Sequence, residues 1–180
     1  MTLLSHIDVV PNFPKEGINF YDIQSLLKKP DIWKTVLSDL TALVKAQNVD
    51  VILGIESRGF LTGVPVAHAL GLPFGMVRKK GKLPGAVIGQ EYALEYGVDC
   101  IEIQAGLLKK NARVAILDDL LATGGTMKAT GDLVRKAGAE VVFSSCIIEL
   151  HELGGRDKLD FPFEAMVQAP LDPVLHIKTA

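Results

Sequence analysis

The sequence predicts one α/β domain with a parallel sheet flanked by helices, and three observations carry that reading. Val114, Ala115, Ile116 and Leu117 form a short apolar run without polar alternation, as in a strand buried on both faces. Further strand-like runs, at residues 49–55, 73–77 and 140–150, are interleaved with stretches of helical spacing. The chain has 180 residues, of which 48% are apolar, enough for one sizeable core and against disorder.

Taken in order, residues 9–22 hold two prolines, a glycine and three aromatics, a composition that resists helix and favours an extended, looping arm. Phe20 and Tyr21 on that arm are candidates for stacking on a flat ligand, the alternative being anchors on the core. Pro30 suits a first helical turn, and Ile32, Trp33, Val36, Leu37, Leu40, Leu43 and Val44 then share one helix face to about Gln47. This helix is scaffold.

Residues 49–55 read as a strand that runs into Glu56-Ser57-Arg58-Gly59, with a helix from Gly59 to about Leu70 and Gly71 as its stop. Arg58 at a helix N-terminus suits an anionic group, which a guanidinium grips in a fork; the competing reading is a surface pair with Glu56. Residues 73–77 form another short strand, followed by Arg78, Lys79, Lys80 and Lys82, a local basic patch on a chain of formal charge −2. From Gly81 to Gly97 the sequence has the glycine-hinged character of a mobile lid, or of a β-hairpin, or of a hairpin serving as a lid.

The most informative stretch follows. Behind the apolar run stand Asp118 and Asp119, then Ala122-Thr123-Gly124-Gly125-Thr126, then helical spacing from Met127 to Ala137. Two glycines at a helix N-terminus let backbone N–H groups converge where the dipole is positive, which is a phosphate site. Thr123 and Thr126 add hydroxyl donors, and the two aspartates can accept hydrogen bonds from vicinal sugar hydroxyls. The implied ligand is a ribose 5-phosphate group. A P-loop is excluded because no Lys precedes the Ser/Thr, and no G-x-G-x-x-G follows any strand. Residues 140–150 read as a strong strand and 163–168 as a last one. His151-Glu152 resembles the start of a zinc-protease helix but lacks the second His, and the segment beyond carries no identifiable chemistry.

The near-neutral charge gives no support to nucleic-acid or membrane-surface binding. No run approaches bilayer length and the first residues do not read as a secretory signal. Cys100 and Cys146 stand far apart in apolar segments, as free thiols of a reducing cytoplasm do.

Together these motifs resemble the type I phosphoribosyltransferases, and within them the adenine-using family. The apolar run with Asp118-Asp119 and the Thr-Gly-Gly-Thr loop, Ser57-Arg58-Gly59-Phe60-Leu61, Arg78 to Gly85, and Tyr92 to Gly97 occur in the order and approximate spacing of that family, and residues 13–22 look like its N-terminal hood. The resemblance spans roughly residues 7 to 165. It implies a Rossmann-like core in a single domain over 1–180, with a hood at about 9–25 and a lid at about 81–97.

It further implies transfer of the phosphoribosyl group of phosphoribosyl pyrophosphate (PRPP) to adenine, giving AMP and pyrophosphate, with Mg2+ held mainly by PRPP rather than by protein ligands. Asp118 and Asp119 would take the ribose hydroxyls, Ala122, Thr123, Gly124, Gly125 and Thr126 the 5-phosphate, and Arg58 the pyrophosphate, beside a cis peptide at Glu56-Ser57. Arg78 would serve pyrophosphate binding across a homodimer interface, and Lys82 would lie at the lid base. Phe20 would stack on the base with Asn19 and Tyr21 beside it, and Glu95 would handle a proton on it. The family usually has Arg where this chain has Tyr21. Alternatives are transfer to xanthine or to hypoxanthine and guanine, or a non-catalytic PRPP-sensing regulator.

Overall fold

The structure, a computed structural model, describes residues 2–93 and 97–172. Its N-terminal arm is a hairpin: β1 (Asp8–Pro11) pairs antiparallel with β2 (Asn19–Asp22), from Asp8 opposite Asp22 to Pro11 opposite Asn19. Asn12, at φ 58°, turns the chain, and its side-chain oxygen accepts the Gly17 N–H at 2.9 Å. The hairpin is seated by Ile7, Tyr21 and Ile23, which are buried in the main core.

Beyond it run α1 (Gln24–Leu27), α2 (Pro30–Lys45), β3 (Val51–Ile55), α3 (Gly59–Leu70), β4 (Phe74–Lys79), β5 (Val87–Ala93), β6 (Val98–Gln104), β7 (Arg113–Leu121), α4 (Gly125–Lys136), β8 (Glu140–Leu150) and β9 (Phe163–Ala169). Among the described residues the large sheet has the order β5-β6-β4-β3-β7-β8-β9. The strands β4, β3, β7, β8 and β9 are mutually parallel, while β6 joins β4, and β5 joins β6, antiparallel. The parallel core expected from the sequence is therefore present, and residues 87–93 pair with residues 98–104 as the extended hairpin that was one reading of the lid.

Hydrophobic burial holds the layers together on both faces of the sheet. On one face α2 inserts Val36, Leu40 and Val44, four residues apart, against Ile52, Leu117 and Ile147. On the other, α4 inserts Met127, Leu133 and Val134 against Leu53, Ile116 and the hairpin's Ile101 and Ile103. Each such side chain contributes about 1.5–3 kcal/mol of transfer free energy. Because the five core strands are parallel, their carboxyl ends share one edge, where α/β folds bind ligands.

Two boundaries differ from the sequence reading, for one reason. β4 continues through Arg78 and Lys79, which pair with Glu102 and Ile101 of β6, and β7 continues to Leu121, which pairs with Glu149. Polar residues end an apolar run, but a neighbouring strand still supplies backbone partners. The basic patch and the acidic pair thus begin inside strands rather than in loops.

Candidate active site

The carboxyl edge of the sheet carries a cleft of about 430 Å³ lined from β3, β4, β6 and β7 and from the β7–α4 loop. Asp118, Asp119, Ala122, Thr123, Gly124, Gly125, Thr126 and Arg58 all line it, so the main cradle predicted from the sequence is assembled in one place.

Its floor is backbone. Gly124 takes φ +77°, a left-handed conformation natural to glycine, and α4 starts at Gly125. The first N–H groups of α4 have no partner within the helix and present a positive dipole end to the cleft. The N-terminus of α3 sits equally close: a methyl group on Gly59 would stand 2.6 Å from the Leu117 carbonyl oxygen and 3.0 Å from Asp118 Oδ1. Only glycine lets that helix start against the end of β7.

The two acids differ. Asp119 is 5% exposed and ion-pairs with Arg58 through Nε. Asp118 accepts the Asp119 N–H at 2.9 Å, and its carboxyl is pushed well above the usual carboxylate range, first by burial and then by the charge of Asp119. Burial, with the Asp118 carboxylate next, also pushes the Cys146 thiol up, consistent with a structural rather than reactive cysteine.

The cationic side is pre-paired as well. The peptide bond Glu56-Ser57 is cis, as the resemblance implied. Glu56 receives Lys82 Nζ at 2.7 Å, Arg78 Nη2 at 3.2 Å and the Lys79 N–H at 3.0 Å. Burial works to raise its pKa, but the Lys82 and Arg78 hydrogen bonds prevail and lower it to about 2. The surface pair of Arg58 with Glu56 considered from the sequence is therefore not formed. Arg58 turns to Asp119, and Glu56 gathers Arg78 and Lys82 instead, neither of which lines the cleft of its own chain.

Above Arg58 lies the hood: its guanidinium carbon is 5.4 Å from the centre of the Phe20 ring, which meets Phe13 edge-on at 5.1 Å. One guanidinium therefore touches both the ring proposed for the base and the acid proposed for the sugar.

A family model described as a phosphoribosyl transferase domain matches residues 24–165. The chain is 53% identical over 167 residues to an adenine phosphoribosyltransferase of Rhodospirillum rubrum, covering 93% of this chain and 98% of that one. The chain belongs to the phosphoribosyl transferase family. An adenine phosphoribosyltransferase of wheat, Triticum aestivum, is 48% identical over 93% of both chains. Among solved structures of phosphoribosyl transferases, that of the Saccharomyces cerevisiae adenine enzyme, complexed with adenine and an imino-altritol bisphosphate, superposes with a TM-score of 0.88 at 37% identity, covering 92% of this chain and 96% of that one.

Within this phosphoribosyl transferase site the hood reading needs one correction. Tyr21 was a stacking candidate, but its side chain is 3% exposed and its hydroxyl donates to the Pro170 carbonyl at 2.6 Å. Strand alternation explains this: Phe20 and Tyr21 are neighbours on β2, so they face opposite ways, and Tyr21 takes the core. Asn19 donates to the Leu171 carbonyl at 3.2 Å, fastening the hood to the C-terminal segment. Glu95 lies outside the described residues.

The sequence reading passed over a polar chain at the hairpin. Thr126 donates to the Tyr92 hydroxyl at 3.3 Å, Tyr92 to Asp99 at 3.4 Å, and Lys79 pairs with Asp99 at 3.1 Å. The chain ties the β5–β6 hairpin to the phosphate loop. Its signal in the sequence was the period-two spacing of Asp99 with Ile101 and Ile103, which turns Asp99 towards α4.

Proposed function

We propose that the chain transfers the 5-phosphoribosyl group of PRPP to adenine, releasing pyrophosphate and forming AMP. The observation that carries this reading is the contact of Arg58 with both Phe20 and Asp119, which makes base platform, pyrophosphate cation and ribose acid immediate neighbours. The relatives named adenine phosphoribosyltransferase support it at 48–53% identity over nearly the whole chain.

In this reading residues 122–126 hold the 5-phosphate with backbone N–H groups and threonine hydroxyls, and Asp118 and Asp119 accept the ribose hydroxyls. Binding of the sugar releases Arg58 from Asp119. The freed guanidinium then meets the pyrophosphate, whose charge grows as the bond to C1 lengthens and the ribose takes on oxocarbenium character. Adenine stacks on Phe20 and attacks C1 through a ring nitrogen. Glu95 handles the proton that the base must lose, and the hairpin excludes water that would otherwise intercept PRPP.

Among the described residues no group of three or more His, Cys, Asp or Glu side chains gathers to hold a metal. The two carboxylates Asp118 and Asp119 fit a hard, oxygen-seeking Mg2+ carried mainly by the oxygens of PRPP itself, where it would neutralise charge on the leaving group. A homodimer with Arg78 near the neighbouring cleft belongs to the same proposal. Leu61 and Val64, exposed on α3, offer apolar surface for such a contact. A cytoplasmic setting suits the two free thiols, and no described helix is long and apolar enough to cross a membrane.

The test is pyrophosphate release with PRPP, Mg2+ and adenine, hypoxanthine, guanine or xanthine in turn. Release with adenine alone is expected. Release only with another base would move the chain to a different purine, and release with none would revive a PRPP-sensing role.

A further inference from the structure

The segment between β8 and β9, without identifiable chemistry in the sequence, lies directly beneath the phosphate loop. It consists of two short 3-10 helices, His151–Leu153 and Gly155–Lys158, joined at Gly154 with φ 61°. Gly155 meets the loop backbone to backbone. A methyl group there would overlap the Ala122 carbonyl oxygen and stand 2.9 Å from the Gly124 nitrogen. A methyl on Gly124 would in turn overlap the Gly155 carbonyl and stand 3.0 Å from its Cα. No side chain cushions this contact, so any shift of Gly155 is passed to the loop.

The next residue holds Gly155 in place. Arg156 makes a fork to Glu149, with Nε 2.9 Å from Oε1 and Nη2 2.6 Å from Oε2. Its third nitrogen donates to the Phe163 carbonyl at 2.9 Å, and its guanidinium lies 4.8 Å over the Phe163 ring. Glu149 is 3% exposed and also receives Gln168 at 3.3 Å. On the sheet Glu149 is the register partner of Leu121, the residue just before the loop. A single residue therefore references both the loop's entry, through the backbone, and its floor, through the side chain.

We infer that Glu149 and Arg156 are positioning residues for the substrate's 5-phosphate: their fork locks Gly155 against residues 122–124 and so fixes the spacing of the loop's N–H donors. The inference rests on the reading of residues 122–126 as a phosphate loop. An anion site built from backbone donors works because the donors need no reorganisation when the anion arrives. A loop free to slide on its floor loses that advantage even though every donor is still present.

Arg156→Ala would leave Glu149 buried without its partner and endanger the fold. The variants chosen are therefore Glu149→Gln, which keeps the shape and removes the charge, and Gly155→Ala, which keeps the ion pair and pushes the loop. Calorimetric titration with ribose 5-phosphate should show about tenfold weaker binding in both, with PRPP KM rising in parallel. Adenine KM should stay within about twofold, a split that a general loss of structure would not give. Ribose 5-phosphate affinity within about twofold of the parent in a folded variant would overturn the inference, as would an equal rise in both KM values. If one variant fails to fold, the other decides. A parent that transfers to adenine yet ignores ribose 5-phosphate would remove the loop reading itself, while a parent that binds ribose 5-phosphate but transfers to no base would remove only the proposed activity.

Discussion

The two halves of the cleft are built by different means. The half proposed for the phosphate, on β7 and α4, is made of backbone: Gly124 in a left-handed conformation, a helix N-terminus, and a floor in direct main-chain contact. The half proposed for pyrophosphate and base, on β3 and the hood, is made of side chains, with Arg58 held by Asp119 and lying beside the Phe20 ring, while Arg78 and Lys82 are gathered by Glu56 outside the lining of this chain's cleft. The first half is ready for its ligand without change. In the proposed reaction the second would exchange the Arg58–Asp119 pair for contacts with substrate. A buried pair broken by one substitution leaves a stranded charge, whereas displacement by a polyanion leaves none.

This contrast orders the expected effects of substitution. The largest is for Gly124→Ala, which meets both the strained φ and the Gly155 carbonyl, with nothing flexible to yield. It should cost about 1–3 kcal/mol of stability in urea unfolding, and raise PRPP KM by about 100-fold. A mild effect would show the loop to be more pliable than a backbone-built cradle allows. Next comes Phe20→Leu, which removes the ring beside Arg58 and should raise adenine KM about tenfold while leaving PRPP KM nearly unchanged. A matching rise for PRPP would mean that the ring serves Arg58 rather than the base.

A smaller effect is expected from pH. The Glu56 carboxyl ordinarily titrates at 4.5 and is lowered to about 2 in the fold. A depressed folded pKa gives stability that is present above the unfolded value and is lost as pH falls through the folded one. Stability should therefore decline between 4.5 and about 2, and Glu56→Gln should flatten that decline in urea midpoints measured across the window. Unchanged steepness would show that the Arg78 and Lys82 contacts do not hold in solution. The smallest effect is that of Tyr21→Phe, which should lose about 0.5–1.5 kcal/mol of stability with the hydrogen bond to Pro170 and leave adenine KM alone.

The same contrast explains what could be seen in the sequence. The backbone half was legible because its parts are local: an apolar run, two acids, two glycines and a helix within residues 114–137. The strand over residues 140–150 was legible for the same reason, as a segment rich in Val, Ile and Phe. The side-chain half was legible in composition but not in pairing. Arg58 stands two residues from Glu56 yet pairs with Asp119, 61 positions away, because the parallel arrangement of β3 and β7 sets their ends side by side. For Tyr21 the core-anchor alternative holds over the stacking one, because alternation on a four-residue strand turns it to the opposite face from Phe20. The Glu149–Arg156 fork drew no notice because its importance lies in what Gly155 touches, a contact with the loop some thirty residues earlier.

The measurement that tests the division most directly is a steady-state comparison of PRPP and adenine in Asp119→Asn. The account predicts that PRPP KM rises about 10–100-fold, the loss of charged hydrogen bonds to the ribose, while adenine KM stays within about threefold. Equal losses for both substrates, or a loss confined to adenine, would contradict the assignment of Asp119 to the sugar and with it the partition of the cleft.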